Sequence, residues 1–263
     1  MTWHYSHYVT AYIISAVFSG LFAAFAWRNR SAPGAKPFAF MMLAIMDWTL
    51  TNAGEVAAVE TWAKILWMKM EYPGIAFSGV LMFIFSARFT RNDAWLTKKM
   101  TALLLAIPSI TLLLIFTDEW HHLIHTGTTM TTVGGLDVLT YQRGPWYWVN
   151  TTYNYLALTT GTLLLVKTAV GHSKLYRRQV VPMLGSIVIA WGANALFIVR
   201  VGPFPGIDLT PISFSVFGLV FYWSVLRGRL FRIVPMARDL LVEQMEDAII
   251  VLDDAYRIID VNP

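Results

Sequence analysis

PFAFMMLAIMDWTLTNAGEVA, residues Pro37–Ala57, poses the problem of this chain in 21 residues. At 1.5 Å per residue such a run makes a helix of roughly 30 Å, the thickness of a bilayer's hydrocarbon. Its first ten residues are apolar, and Asp47, Asn52 and Glu55 follow. Ionisable groups at membrane depth are costly and normally turn inward toward a partner. Asn52 and Glu55 are three apart and share a helix face, with Asp47 on roughly the same side. The stretch therefore predicts a membrane-crossing helix whose polar stripe faces other helices.

The rest of the chain agrees. It has 263 residues, 56% of them hydrophobic and only 14% charged, with a mean hydropathy of +0.53. A soluble domain carries about a quarter charged residues, so the deficit indicates a polytopic membrane protein. There is no cysteine, hence no disulfide framework and no thiolate metal site. The start, MTWHYSHYVT, lacks the basic region of a secretory signal. Residues 1–7 are expected to form a short external tail before a retained first span.

Seven segments are long and apolar enough to span: Tyr8–Trp27, Pro37–Ala57, Ile65–Phe89, Met100–Phe116, Trp146–Val170, Val180–Val201 and Thr210–Leu226. The fold class expected is an all-α membrane protein of seven transmembrane helices. Lysine and arginine sort by side. Connections after the odd-numbered spans hold Arg28, Arg30, Lys36, Arg88, Arg91, Lys98, Lys99, Lys167, Lys174, Arg177, Arg178, Arg227, Arg229, Arg232 and Arg238. The opposite side holds Lys64, Lys69, Arg143 and Arg200, and Arg257 lies in the tail. The positive-inside rule then places the N-terminus outside and the C-terminus in the cytoplasm, in the plasma membrane. The basic excess is topological and gives no reason to invoke nucleic acid.

The longest connection, residues 117–145, carries a Thr-rich run Thr128–Val133, then Gly134-Gly135, then Leu136–Gln142. β-Branched residues around a Gly-Gly turn predict a small β-hairpin, placed to lid a pocket or to pack helix ends. His121 and His125 stand at i and i+4 and would share a face if helical. No Glu completes an HExxH pattern, so no metal site is expected.

The candidate ligand-binding residues lie in the outer halves of the spans: Asn52, Glu55, Lys69, Glu71, Trp146, Asn150, Tyr153, Asn154, Asn194 and Arg200. Amide, phenol and charged groups with aromatic walls suit a small-molecule pocket. The competing reading is structural, because Trp and Tyr form interfacial belts and Asn joins helices by hydrogen bonds. A Glu55–Lys69 ion pair is expected from the short link between spans two and three. Pro73-Gly74 falls inside span three, where a kink is expected. Thr210 and Pro211, preceded by Asp208, fit the capped start of the last span.

Residues 209–226 contain no lysine, which excludes a retinal Schiff base in the last span. No phosphate-binding glycine loop and no nucleophile elbow occur. No cofactor is expected, nor enzymatic activity in this chain by itself. A transporter or channel, with Asp47, Glu55, Lys69 and Asn194 along a pathway, is the alternative. The halves show no repeat of the kind many transporters carry.

After the last span the character changes. RGRLFRIVPMARDLLVEQMEDAIIVLDDAYRIIDVNP, Arg227–Pro263, has a basic exit, a short helix Met236–Glu246, and two apolar strands separated by an acidic turn. The strand pair resembles the opening of a PAS domain, and is too short to bury a core of its own. The expected division is 1–226 membrane sensor, 227–246 linker helix and 247–263 a PAS domain cut short. The seven spans, Asp208–Pro211, RLFRIVP (Arg229–Pro235) and the strand pair together resemble the N-terminal seven-transmembrane region of sensor histidine kinases. The resemblance implies a receptor that relays a small-molecule signal through a linker to PAS and kinase modules, or to another output such as a diguanylate cyclase. It also implies a homodimer in the full-length protein and a response regulator as downstream partner.

Overall fold

The computed structural model describes residues 2–133, 136–171, 174–199, 208–228, 250–252 and 258–261. Seven long helices lie among them: α1 (His7–Arg28), α2 (Ala35–Ala57), α3 (Thr61–Phe89), α4 (Lys98–Phe116), α6 (Pro145–Gly171), α7 (Lys174–Val199) and α8 (Thr210–Gly228). A one-turn helix, α5 (Asp118–His121), follows α4. The chain then forms β1 (His125–Val133) and β2 (Leu136–Arg143), and ends in β3 (Ile250–Leu252) and β4 (Ile258–Val261).

α1, α3, α4 and the Val180–Val199 part of α7 are long and apolar enough to cross a membrane by length and composition. α2 and α6 carry the polar residues that lower their hydropathy, and the apolar part of α8, Thr210–Trp223, is shorter. α3 and α7 begin four and six residues before the expected spans, at Thr61 and Lys174. Hydropathy registers only the lipid-facing length, whereas helical hydrogen bonding continues into polar residues.

The helices pack in a ring, α1–α2–α3–α6–α7–α8 and back to α1, with α4 outside against α3 and α6. The α1–α2 and α3–α4 connections, with the C-terminal end of α6, define one end of the bundle, here the basic end. The β1–β2 hairpin and the α2–α3 turn define the hairpin end. The basic end is closed by a dry core. Phe38, Phe85, Phe217 and Phe221 are all essentially inaccessible, with Met41, Met42 and Met82 between them. The Phe38 and Phe221 rings lie 3.8 Å apart, and Phe85 meets Phe221 edge-on at 5.3 Å.

α2 and α3 meet closely where Pro73-Gly74 interrupts α3. A Cβ on Gly74 would fall 2.4 Å from the Ala44 carbonyl oxygen, so only glycine permits this approach. The Gly74 N–H donates to Asp47 Oδ2 at 3.2 Å, which gives the acid of mid-α2 a partner. α1 and α8 are joined by a hydroxyl cluster: Ser215 bonds Ser15 and, at 2.8 Å, Ser19.

The strands β1 and β2 pair antiparallel, from His125 opposite Arg143 to Val133 opposite Leu136, close to the expected hairpin. Its Gly134-Gly135 turn lies outside the described residues. β3 and β4 also pair antiparallel, Ile250 opposite Val261. The expected linker helix Met236–Glu246 lies outside the described residues.

Candidate functional site

At the hairpin end the helices part around a cavity of about 230 Å³. Its walls come from α2, α3, α6, α7 and the start of α8, and β2 supplies its roof through Val138, Leu139, Thr140 and Tyr141.

The hairpin is held at its base by three anchors. The Asp118 carboxylate accepts the backbone N–H groups of Ile124 and His125, each at 2.9 Å. The His125 ring stands between two partners, with Nδ1 3.2 Å from Asp118 Oδ2 and Nε2 3.0 Å from the Tyr72 hydroxyl on α3. Burial pushes this imidazole down to about 4, against the pull of Asp118. A neutral ring suits both contacts, since Nδ1–H donates to the carboxylate while Nε2 accepts the phenol proton. Third, Arg143 donates from its guanidinium to the carbonyls of Ile198 at 2.5 Å and Phe197 at 3.4 Å, at the last turn of α7. A cation there also satisfies the negative end of the helix dipole. The histidines expected to share a helix face do not: α5 ends at His121, and His125 opens β1.

Of the ten residues singled out from sequence, Asn52, Glu55, Glu71, Asn150, Asn154 and Asn194 line the cavity. Lys69, Trp146 and Tyr153 do not, and Arg200 lies outside the described residues. Lys69 pairs with Glu119 instead of Glu55, and this hydrogen bond holds the Glu119 carboxyl below its usual range. It is Lys64, buried in the first turn of α3, whose Nζ reaches back 2.8 Å to the Glu55 carbonyl. Five residues separate the two lysines, which is about 140° around a helix, so they cannot both face α2. Trp146 donates Nε1–H to Thr111 of α4 at 3.0 Å. Tyr153 donates its hydroxyl proton to the Leu104 carbonyl at 2.5 Å. Pro108 has no N–H for that carbonyl, four residues before it, so Tyr153 completes the helix hydrogen bonding of α4.

The asparagines have a double role. Asn154 Oδ1 accepts the Gly79 N–H of α3 at 3.1 Å, and its amide donates to the Asn150 carbonyl at 3.1 Å. Asn150 Oδ1 accepts from Thr111 at 3.3 Å. Asn194 Oδ1 accepts the Tyr155 hydroxyl proton at 2.7 Å, and its Nδ2 donates to Thr210 Oγ1 at 3.2 Å. These bonds tie α6 to α3 and α4, and α7 to α6 and α8, while leaving edges of the amides on the cavity wall.

Asp208 also lines the cavity. Its Oδ1 accepts the Thr210 N–H at 2.9 Å, so Asp208, not Thr210, supplies the side-chain oxygen at the start of α8. The Tyr12 hydroxyl of α1 donates to its carbonyl at 2.5 Å. Burial pushes the Asp208 carboxyl up to about 6, against the hydrogen bonds from Thr210. Several wall atoms lack a partner. Glu71 Oε1, Asn52 Nδ2, Trp48 Nε1, Trp191 Nε1 and Arg143 Nε are buried without a hydrogen bond. Buried polar atoms are nearly always paired, so five orphans around one cavity mark it as a place built for something polar.

Sequence reasoning missed the roofing and clamping residues Tyr72, Tyr141 and Arg143. Nothing in their local spacing indicates that a hairpin folds back over the helices. Lys64 and Asp208 were visible, Lys64 as a charge on the outer side and Asp208 as part of the capped start of the last span.

A ring of apolar helices enclosing a roofed polar cavity at one end defines a helical membrane protein. The family described as the N-terminal 7TM region of histidine kinase matches residues 11–235, and the chain belongs to it. The matched region is the sensory part of such proteins, not a catalytic domain. No curated protein matches the sequence.

Proposed function

We propose that this chain is the input module of a histidine-kinase signalling protein, in which the cavity binds a small molecule and the bundle relays its presence. All seven long helices cross the plasma membrane, with the hairpin end outside and the basic end in the cytoplasm. The distribution of lysine and arginine supports this orientation. The observation that carries the reading is the connection between cavity and exit helix. Thr210 and Phe214 of α8 line the cavity, and Asn194 and the Tyr12–Asp208 contact hold the start of that helix.

A ligand that favours one arrangement of these contacts shifts α8 against α1 and α7. The shift passes through the basic exit and the linker, residues 227–246, to a PAS domain beginning at residue 247, and then to kinase modules acting on a response regulator. Two copies of the full-length protein work together. A different output, such as a diguanylate cyclase, would use the same relay.

Orientation can be tested cleanly because the chain has no cysteine. Single cysteines at Thr131, in the hairpin, and at Ser31, in the α1–α2 loop, are exposed to a membrane-impermeant maleimide in intact cells. Labelling of the first alone is expected, and labelling of the second alone refutes the topology. Relay is tested in the kinase-bearing protein in membrane vesicles. Thr151→Phe, which fills the cavity, is expected to fix phosphorylation at one level whatever stimulus is applied. Leu156→Phe, on the exposed face of α6, leaves it responsive. Equal behaviour of the two variants, or solute uptake by the chain in proteoliposomes, removes the receptor reading.

A further inference from the structure

We infer that the cavity takes a small organic cation, an ammonium compound with an aromatic or apolar body. This rests on the sensory reading of the cavity and adds the chemistry of its ligand. Among the described residues, the wall carries two buried carboxyl groups, Glu71 and Asp208, and a half-buried one, Glu55, from α3, the lead into α8, and α2. A fourth acid, Asp137, is exposed in the roof, where its carboxylate accepts from Thr132 at 2.8 Å. Two cations face them. Lys64 is committed to the last turn of α2 through the Glu55 carbonyl. Arg143 donates to the last turn of α7 through its terminal nitrogens and lies over the Tyr147 ring at 5.1 Å, while its Nε stays unpartnered on the wall. The described wall is thus left with an excess of acid.

Glu71 is the sharpest sign. The residue is 5% exposed, it lines the cavity, and its carboxyl is hydrogen-bonded to that of Glu55 while its Oε1 has no partner. A buried carboxyl oxygen lacking a donor is costly, and a ligand N⁺–H supplies a charge-assisted one. Neighbouring walls are aromatic: Trp48 and Trp191, and Tyr155 packed edge-on against Trp191 at 5.8 Å. Aromatic faces attract cations and bury apolar groups. Asn52 Nδ2, unpartnered one turn before Glu55, offers a donor to an oxygen close to the ligand's nitrogen. Asp137 at the mouth adds negative potential that draws cations in.

Three probes of one shape separate the possibilities: 2-amino-1-phenylethanol, 1-phenyl-1,2-ethanediol and mandelate. Binding to the purified chain is followed by tryptophan fluorescence and by the shift in melting temperature. The amine is expected to bind about tenfold tighter or more than the diol, with mandelate weakest. That preference is expected to fall away in Glu71→Gln, and in Asp208→Asn should the first variant fold poorly. Equal binding of amine and diol, preference for mandelate, or an unchanged preference in both variants overturns the cation assignment while leaving a ligand cavity in place. Absence of binding by all three at millimolar concentration also overturns it. The sensory reading is then judged separately, by the response of Thr151→Phe.

Discussion

The two ends of this bundle are built by opposite rules. At the basic end Phe38, Phe85, Phe217 and Phe221 fill the space between helices with apolar rings. At the hairpin end the corresponding space holds carboxyls, amides and indoles, several of them unpaired. Close-packed apolar cores resist change, because each ring has one arrangement that fills the volume. Partly satisfied polar sites are less stable, and they can gain from a ligand or from rearrangement. The contrast teaches where this protein keeps its stability and where it keeps its responsiveness. Gly74 and Asp47 lie between the two regimes, where α2 and α3 touch backbone to side chain.

Replacing Phe38 by Ala attacks the rigid end and is expected to have the largest effect. A buried Phe→Ala change costs about 3–5 kcal/mol. Thermal melting of the purified chain in detergent should show an early, broadened transition. A loss under about 1 kcal/mol would mean that the basic end is not the stable half.

Acid should weaken the His125 anchor of the hairpin next. Free histidine titrates near 6.5, and His125 is held at about 4, so the unfolded chain takes up the proton first as pH falls. Its contribution is complete above about 6.5 and is lost on the way down to 4. Between pH 7 and pH 5 the loss is about 2 kcal/mol. Asp208 acts with the opposite sign, since a carboxyl raised from 3.8 to about 6 favours the folded state at the acid side of that window. The term due to His125 is therefore read as the difference in pH slope between wild type and His125→Gln. Parallel slopes would show that the ring is not buried neutral between Asp118 and Tyr72.

Asn52→Leu sharpens the comparison from the other side. It removes a buried amide with an unpaired donor, and a leucine of similar size should cost nothing or add up to about 1 kcal/mol. The same change should reduce the response to any ligand. A large loss of melting temperature would show that Asn52 is tied into the fold as tightly as Phe38. Lys69→Ala should matter least. Its partner Glu119 is 62% exposed while Lys69 is 12% exposed, and a pair of this kind contributes about 1 kcal/mol or less. Raised salt should erase even that difference.

How far the sequence reached differs from element to element. The helices were legible because lipid demands long apolar runs, and the hairpin because Thr-rich strands flank Gly-Gly. The polar stripe of α2 was legible for the same reason, since Asn52 and Glu55 had to face inward. Lys69 and Tyr153 lie off the cavity, because periodicity tells which residues share a face, not which neighbour that face meets. Lys69 turned toward Glu119, and Tyr153 toward the carbonyl that Pro108 leaves open.

By itself, the sequence determined that the chain lives in a membrane, which loops carry the positive charge, and that the C-terminal tail changes character. Those properties depend on local composition and helical period, which the chain carries along its length. Only the tertiary structure decided that β2 roofs a cavity, that Arg143 pins that roof to α7, and that Asp208 joins Glu55 and Glu71 on one wall. Residues 55, 71, 143 and 208 are far apart in the chain. Their meeting follows from the order in which helices pack around the ring, and no local pattern encodes that order.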